Sequence, residues 1–67
     1  MLTMGQKLSL RREELGMTQA ELADRSGVNP KTIAGWENDR FNPRFIPLCL
    51  VADVLELSLD YLAEGVC

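Results

Sequence analysis

The sequence predicts an all-α domain of five short helices, a single unit over residues 1–67. Three observations predict it. Capping residues stand at candidate helix starts, apolar side chains recur behind them at helical spacing, and small residues close most segments. No alternating run of β-branched or aromatic residues reaches a useful strand length. A chain of 67 residues, 46% hydrophobic and 25% charged, has the composition of one small folded domain with no room for a second.

The first helix is expected from about Thr3 to Leu15, with Leu8, Arg12 and Leu15 on one face, Met4 a turn earlier and Gly16 as its stop. The second starts at Thr18-Gln19-Ala20-Glu21, a capping box in which Thr18 and Glu21 satisfy backbone N–H groups reciprocally. Met17 and Leu22 flank that cap at the spacing of a hydrophobic staple, and Gly27 ends the segment. The third opens at Asn29-Pro30, a favoured cap followed by a residue suited to the first helical position, and Val28 and Ile33 repeat the staple. Only Gly27 and Val28 separate these two segments, which read as helix, tight turn, helix. The fourth carries Phe45, Leu48, Val51, Ala52 and Leu55 at helical spacing. Pro47 argues for an irregular turn over 43–46 and a regular helix from about Ile46 or Pro47. The fifth, Ser58 to Glu64, has Ser58 as cap, Leu57 and Leu62 as staple, Asp60 near the positive end of its dipole and Gly65 as stop.

The net charge of −3 argues mildly against a nucleic-acid partner when taken as one number. It is unevenly spread. Residues 1–47 hold all seven cations and six of the ten acids, and residues 48–67 hold four acids and no cation. The absence of histidine removes the commonest general base and metal ligand. Cys49 and Cys67 match neither a zinc site nor a disulfide framework and indicate a reducing, cytoplasmic setting. Cys49 reads as a small core residue and Cys67 as an exposed terminal thiol. No apolar run is long enough to span a membrane and no signal peptide opens the chain. No nucleophile–base pair or metal cluster can be assembled, so an enzyme is not expected, nor is a cofactor, a metal or a small-molecule substrate.

On the third helix, Ile33, Trp36 and Glu37 share one face, and Pro30, Lys31, Ala34, Gly35 and Asn38 lie on the other. A carboxylate on the apolar face needs a cation, and Arg12 on the inward face of the first helix is the candidate. The second face has no large apolar residue, so it faces solvent or a ligand. The series Gly5-x-x-Leu8, Arg12, Gly16 to Ala23, Ser26 to Asn29, Thr32-Ile33-x-x-Trp36-Glu37 resembles the Cro and λ-repressor-like helix-turn-helix family. Pro43, Val51-Ala52, Leu55 and Leu57 to Leu62 continue the pattern, so the resemblance covers roughly residues 5–64.

That resemblance implies a compact five-helix, lambda-repressor-like DNA-binding domain with its helix-turn-helix in helices 2 and 3. It implies a sequence-specific transcriptional regulator, bacterial or phage-encoded, whose recognition helix, about residues 30–38, lies in the major groove of double-stranded DNA. Asn29, Pro30, Lys31, Thr32, Ala34 and Gly35 would line the base edges or groove. Thr18, Gln19, Asn38, Arg40 and Arg44 would contact phosphates. Each keeps a plain alternative: Gln19 and the arginines as solvated residues, and Asn29 as nothing more than a helix cap. Arg12 and Glu37 match a structural ion pair of the family. Ala34 and Gly35 stand where relatives often carry long polar side chains, which makes direct base readout sparse. Asp39 replaces the glycine usual after Trp-Glu-x; it tolerates a left-handed backbone but adds negative charge near phosphates. Leu50 lies where relatives often carry a charged residue. Leu50, Leu57, Leu59 and Val66 are candidates for an isologous homodimer contact, against the alternative that Leu57 and Leu59 simply close the core. A second function class remains open: an antitoxin or adaptor whose main partner is a protein held at residues 48–67, with DNA binding secondary.

Overall fold

The structure, a computed structural model, describes residues 2–40 and 42–63. Within them lie five α-helices: α1 (Met4–Glu14), α2 (Gln19–Ser26), α3 (Pro30–Glu37), α4 (Phe45–Leu55) and α5 (Leu59–Ala63). No strand occurs among the described residues. The all-α, five-helix fold expected from the sequence is the fold observed.

Local chemistry sets most of the helix starts. Thr18 Oγ1 accepts from the Glu21 N–H at 3.1 Å while Glu21 Oε1 accepts from the Thr18 N–H at 3.2 Å, closing the expected box. A second box stands at α1, where Thr3 and Gln6 exchange the same pair of bonds at 3.1 and 2.8 Å. Asn29 Oδ1 accepts from the Lys31 N–H at 2.8 Å, with Pro30 as the first residue of α3. Ser58 Oγ accepts from the Tyr61 N–H at 3.1 Å. The three staple pairs, Met17–Leu22, Val28–Ile33 and Leu57–Leu62, all belong to or pack on one core. Gly27 closes α2 at φ +75°, a left-handed position that glycine fills without steric cost.

The core is Leu8, Leu22, Ile33, Trp36, Val51, Leu55 and Leu62, with Met17, Ala23, Val28 and Ala52 around them. α2 packs on α3 and α4, and α1 packs on α3, α4 and α5. Two cations of α1 fasten the C-terminal helices. Arg11 Nε donates to the Leu55 carbonyl at 2.9 Å, at the negative end of α4. Lys7, itself buried, donates from Nζ to the Tyr61 carbonyl at 2.6 Å and lies 4.6 Å from the centre of the Tyr61 ring.

Several boundaries differ from the expectation. α4 begins at Phe45, because Pro47 is its third residue and a third residue needs no intrahelical acceptor for its N–H. The regular pattern starts one residue later, with the Leu48 N–H bonded to the Arg44 carbonyl at 3.0 Å. Phe45 is 71% exposed and lies outside the core despite its helical spacing. Leu15 is the C-cap of α1 and exposed, since α1 ends before it can turn that side chain inward. Cys49 is half-buried and outside the core cluster. α4 ends at Glu56, which takes the left-handed conformation at φ +57° without a glycine. The expected stop at Gly65 and the terminal Cys67 lie outside the described residues.

Candidate nucleic-acid interface

A buried polar network joins the helix-turn-helix to α1. The Glu37 side chain is 5% exposed and that of Arg12 is 12% exposed. Arg12 grips Glu37 with two parallel bonds, Nε to Oε2 at 2.9 Å and Nη2 to Oε1 at 3.1 Å, and its Nη1 donates to the Met17 carbonyl at 2.7 Å. The hydrogen bond to Glu37 pushes the Arg12 pKa above its ordinary value, against the opposing effect of burial. Gln19 completes the carboxylate's shell by donating from Nε2 to Glu37 Oε1 at 3.0 Å. The first residue of α2 is thereby tied to the last residue of α3. Gln19, expected at a phosphate or as a solvated residue, is half-buried with one amide hydrogen given to Glu37.

α3 presents Pro30 and Lys31 as exposed residues at its N-terminal end, with Thr32 and Ala34 half-buried beside them. Gly35 is buried. It was expected on the outward face, but it has no surface there to offer a groove. Thr32 and Trp36, one turn apart, form one wall of an open cleft of about 400 Å³ whose other wall is Asn42, Arg44 and Pro47. Asn29 caps α3 through Oδ1, and Thr18 uses its hydroxyl as the α2 cap while remaining exposed. Asn38 is exposed, and its Nδ2 turns back to the Ala34 carbonyl at 2.8 Å. Asn42, which stands beside Arg44 in this cleft, escaped sequence reasoning. Its only signal was the Asn-Pro pair, which reads more naturally as a cap.

The cations divide by partner. Arg11 reaches Glu14 and Glu56, and Arg12 holds Glu37. Arg25, Lys31, Arg40 and Arg44 are exposed and form no ion pair among the described residues. Arg25 lies on α2, and the other three lie on α3 and the segment that follows it. The acids of that region are already engaged: Glu37 in its network, and Asp39 by α1. Asp39 sits at φ +56° and accepts from the Thr3 hydroxyl at 2.9 Å and from the Gly5 N–H at 3.3 Å. Asp53, Glu56 and Asp60 are exposed on or beside α4 and α5.

Among the dimer candidates, Leu57 and Leu59 are half-buried against the core, Leu50 is 46% exposed and Val66 lies outside the described residues. Among the described residues the most exposed large apolar side chains stand about one turn before Leu50: Phe45 and Ile46, each 71% exposed.

The family described as Helix-turn-helix matches residues 8–62. The chain belongs to the helix-turn-helix family. Its relatives include repressor protein C2 of Salmonella phage P22, 34% identical over 62 residues, and the immunity repressor of Bacillus phage phi105, 33% identical over 59. Those alignments cover 92% and 88% of this chain but only 29% and 41% of the two repressors. The fold of this helix-turn-helix protein superposes on the P22 c2 repressor solved in complex with a synthetic operator. The TM-score is 0.90, the identity 32%, and the match covers 97% of this chain and 98% of that one. It also matches the solution structure of the DNA-binding domain of the same repressor, with a TM-score of 0.87 over 96% of this chain and 84% of that one.

Proposed function

We propose that this helix-turn-helix protein is a sequence-specific DNA-binding transcriptional regulator of the repressor type. It lays α3 in the major groove and grips phosphates with the residues that follow. The observation that carries this reading is the electrostatic sorting of the surface. Lys31, Arg40 and Arg44 are exposed without ion-pair partners among the described residues, while of the nearby acids Glu37 is buried against Arg12 and Asp39 is hydrogen-bonded to the start of α1. The likeness to a repressor solved with its operator supports the same reading. Lys31 and Thr32 are the side chains placed for base edges, Ala34 offers a methyl contact, and Arg40, Arg44 and Asn42 set register on the backbone. Asn29 and Thr18 act first as caps, and Gln19 acts through Glu37, with its second amide hydrogen left for a phosphate. Residues 1–67 act as one domain, and the setting is the cytoplasm, where the DNA is.

Two copies on adjacent half-sites fit this role, since one α3 reads only a few base pairs. The contact falls on Phe45, Ile46 and Leu50. That patch starts one residue after Arg44, so a contact through it lies next to a proposed phosphate-contacting residue. It is small beside the roughly 800 Å² per partner of a stable interface, so the pair forms on DNA and dissociates in free solution. An isolated protein partner for the acidic residues of α4 and α5 is the competing reading.

Selection of bound sequences from a random duplex pool tests the proposal. A two-fold repeated half-site is the expected product. Lys31→Ala and Arg44→Ala should weaken the selected complex with the thermal midpoint nearly unchanged, and Phe45→Ser with Ile46→Ser should leave one copy per duplex. No enrichment at low salt would leave the protein-partner reading standing instead.

A further inference from the structure

We propose that Asp39 is a positioning residue for DNA reading: with Thr3 and Gly5 it forms a clamp that fixes the C-terminal turn of α3 on the start of α1. The inference rests on the DNA-binding role proposed above. Asp39 occupies a left-handed position that a glycine would fill at less cost, and it brings a negative charge to the helix that faces phosphate. Both penalties are offset by what its carboxylate does. Oδ2 accepts from the Thr3 hydroxyl at 2.9 Å, and Oδ1 accepts from the Gly5 N–H at 3.3 Å, at the N-terminal, positive end of α1. From its left-handed backbone at φ +56° the short carboxylate reaches both.

The other parts of the clamp agree. A Cβ on Gly5 would collide with the Trp36 carbonyl and would lie 2.7 Å from Asp39 Oδ1 and 2.9 Å from the Glu37 carbonyl. The helices approach this closely because residue 5 has no side chain. On the α3 side, the Asp39 N–H donates to the Trp36 carbonyl at 3.1 Å and the Arg40 N–H to the Gly35 carbonyl at 2.9 Å. The backbone that carries Arg40 is therefore tied through Asp39 to α1. Thr3 does double work, capping α1 through Gln6 and donating to Asp39.

The sign of one effect separates positioning from plain electrostatics. Removing an acid near phosphates should strengthen DNA binding on charge grounds alone. If Asp39 positions the reading surface, its removal weakens binding to the selected duplex. Asp39→Gly deletes the carboxylate and relieves the backbone, so folding is not at risk. Thr3→Val deletes one clamp bond, and with it the α1 cap bond from the Gln6 N–H, with no change of charge; Thr3→Ser keeps both. Gln6→Ala weakens the α1 cap while leaving the clamp, so it should bind like the unmodified protein. At fixed salt we expect Asp39→Gly and Thr3→Val to lose about tenfold in affinity for the selected duplex, the scale of one charge-assisted hydrogen bond. Thr3→Ser should match the unmodified protein, and affinity for an unselected duplex should hold or rise in Asp39→Gly. Amide exchange of Gly5 in the free protein should quicken in Asp39→Gly. Unchanged or tighter binding of both Asp39→Gly and Thr3→Val to the selected duplex overturns the clamp. If the unmodified protein enriches no sequence at all, the DNA-binding role fails and the positioning role falls with it.

Discussion

Glu37 is the residue on which most of the architecture converges. Its carboxylate is held by two nitrogens of the Arg12 guanidinium and by Gln19, so removing either charge leaves the other largely buried without its main countercharge. Glu37→Ala and Arg12→Ala should each cost about 3–5 kcal/mol, comparable with the whole stability of about 3–10 kcal/mol available to a domain of this length. Both variants should be largely unfolded by circular dichroism at 37 °C. Replacing the pair together with Arg12→Met and Glu37→Leu should recover most of the loss; failure to recover would mean that Gln19 and the Met17 carbonyl matter as much as the charge pair. The raised pKa of Arg12 keeps its contribution present at every pH below the ordinary arginine value, to be lost only in strong alkali. Gly5→Ala should cost about 3 kcal/mol, read as a fall in thermal midpoint, because its Cβ meets backbone and not a movable side chain. The ion pair was legible in the sequence because a lone acid on an apolar helical face demands a cation. The demands on Gly5 were not, because nothing local in Met-Gly-Gln announces that a neighbouring helix passes within contact of it.

The helices were the most legible level, and the reason is local. Caps and staples act within five residues, so Thr18, Asn29 and Ser58 announce α2, α3 and α5 without help from the fold. The Thr3–Gln6 box carries the same signal and was passed over. α4 was harder: it has no side-chain cap, its start is set by tertiary position, and Pro47 is compatible with either the second or the third residue from that start. Its end was invisible because Glu56 adopts a left-handed backbone that sequence rules reserve for glycine or asparagine. Glu56→Gly should therefore raise stability by about 0.5–1 kcal/mol, since the ion pair it gives up with Arg11 spans 3.9 Å on a largely exposed glutamate. A denaturation midpoint that falls in Glu56→Gly would show that this end of α4 depends on the side chain. Thr18→Ala should lose about 1 kcal/mol by the loss of its cap.

For the whole molecule, the net charge of −3 conceals a division that neither the total nor the linear sequence displays. Linear position separated the acidic last third from the rest and the helical faces paired Glu37 with Arg12, but neither could show that Asp39 is hydrogen-bonded to the start of α1 or that Arg11 is paired with Glu14 and Glu56. Those pairings decide which cations remain for a partner. Burial in turn moves the sequence's dimer candidates, since Leu57 and Leu59 pack half-buried against the core while Phe45 and Ile46 stay outside it. In the proposed complex Lys31, Arg40 and Arg44 face phosphate and base edges. The most direct test is the affinity for the selected duplex measured against salt concentration. Three cations per copy predict a log–log slope of about −3 for one copy and about −5 for two, falling by about 1 per bound copy in Arg44→Ala. A slope near zero, or one unchanged by Arg44→Ala, would contradict it.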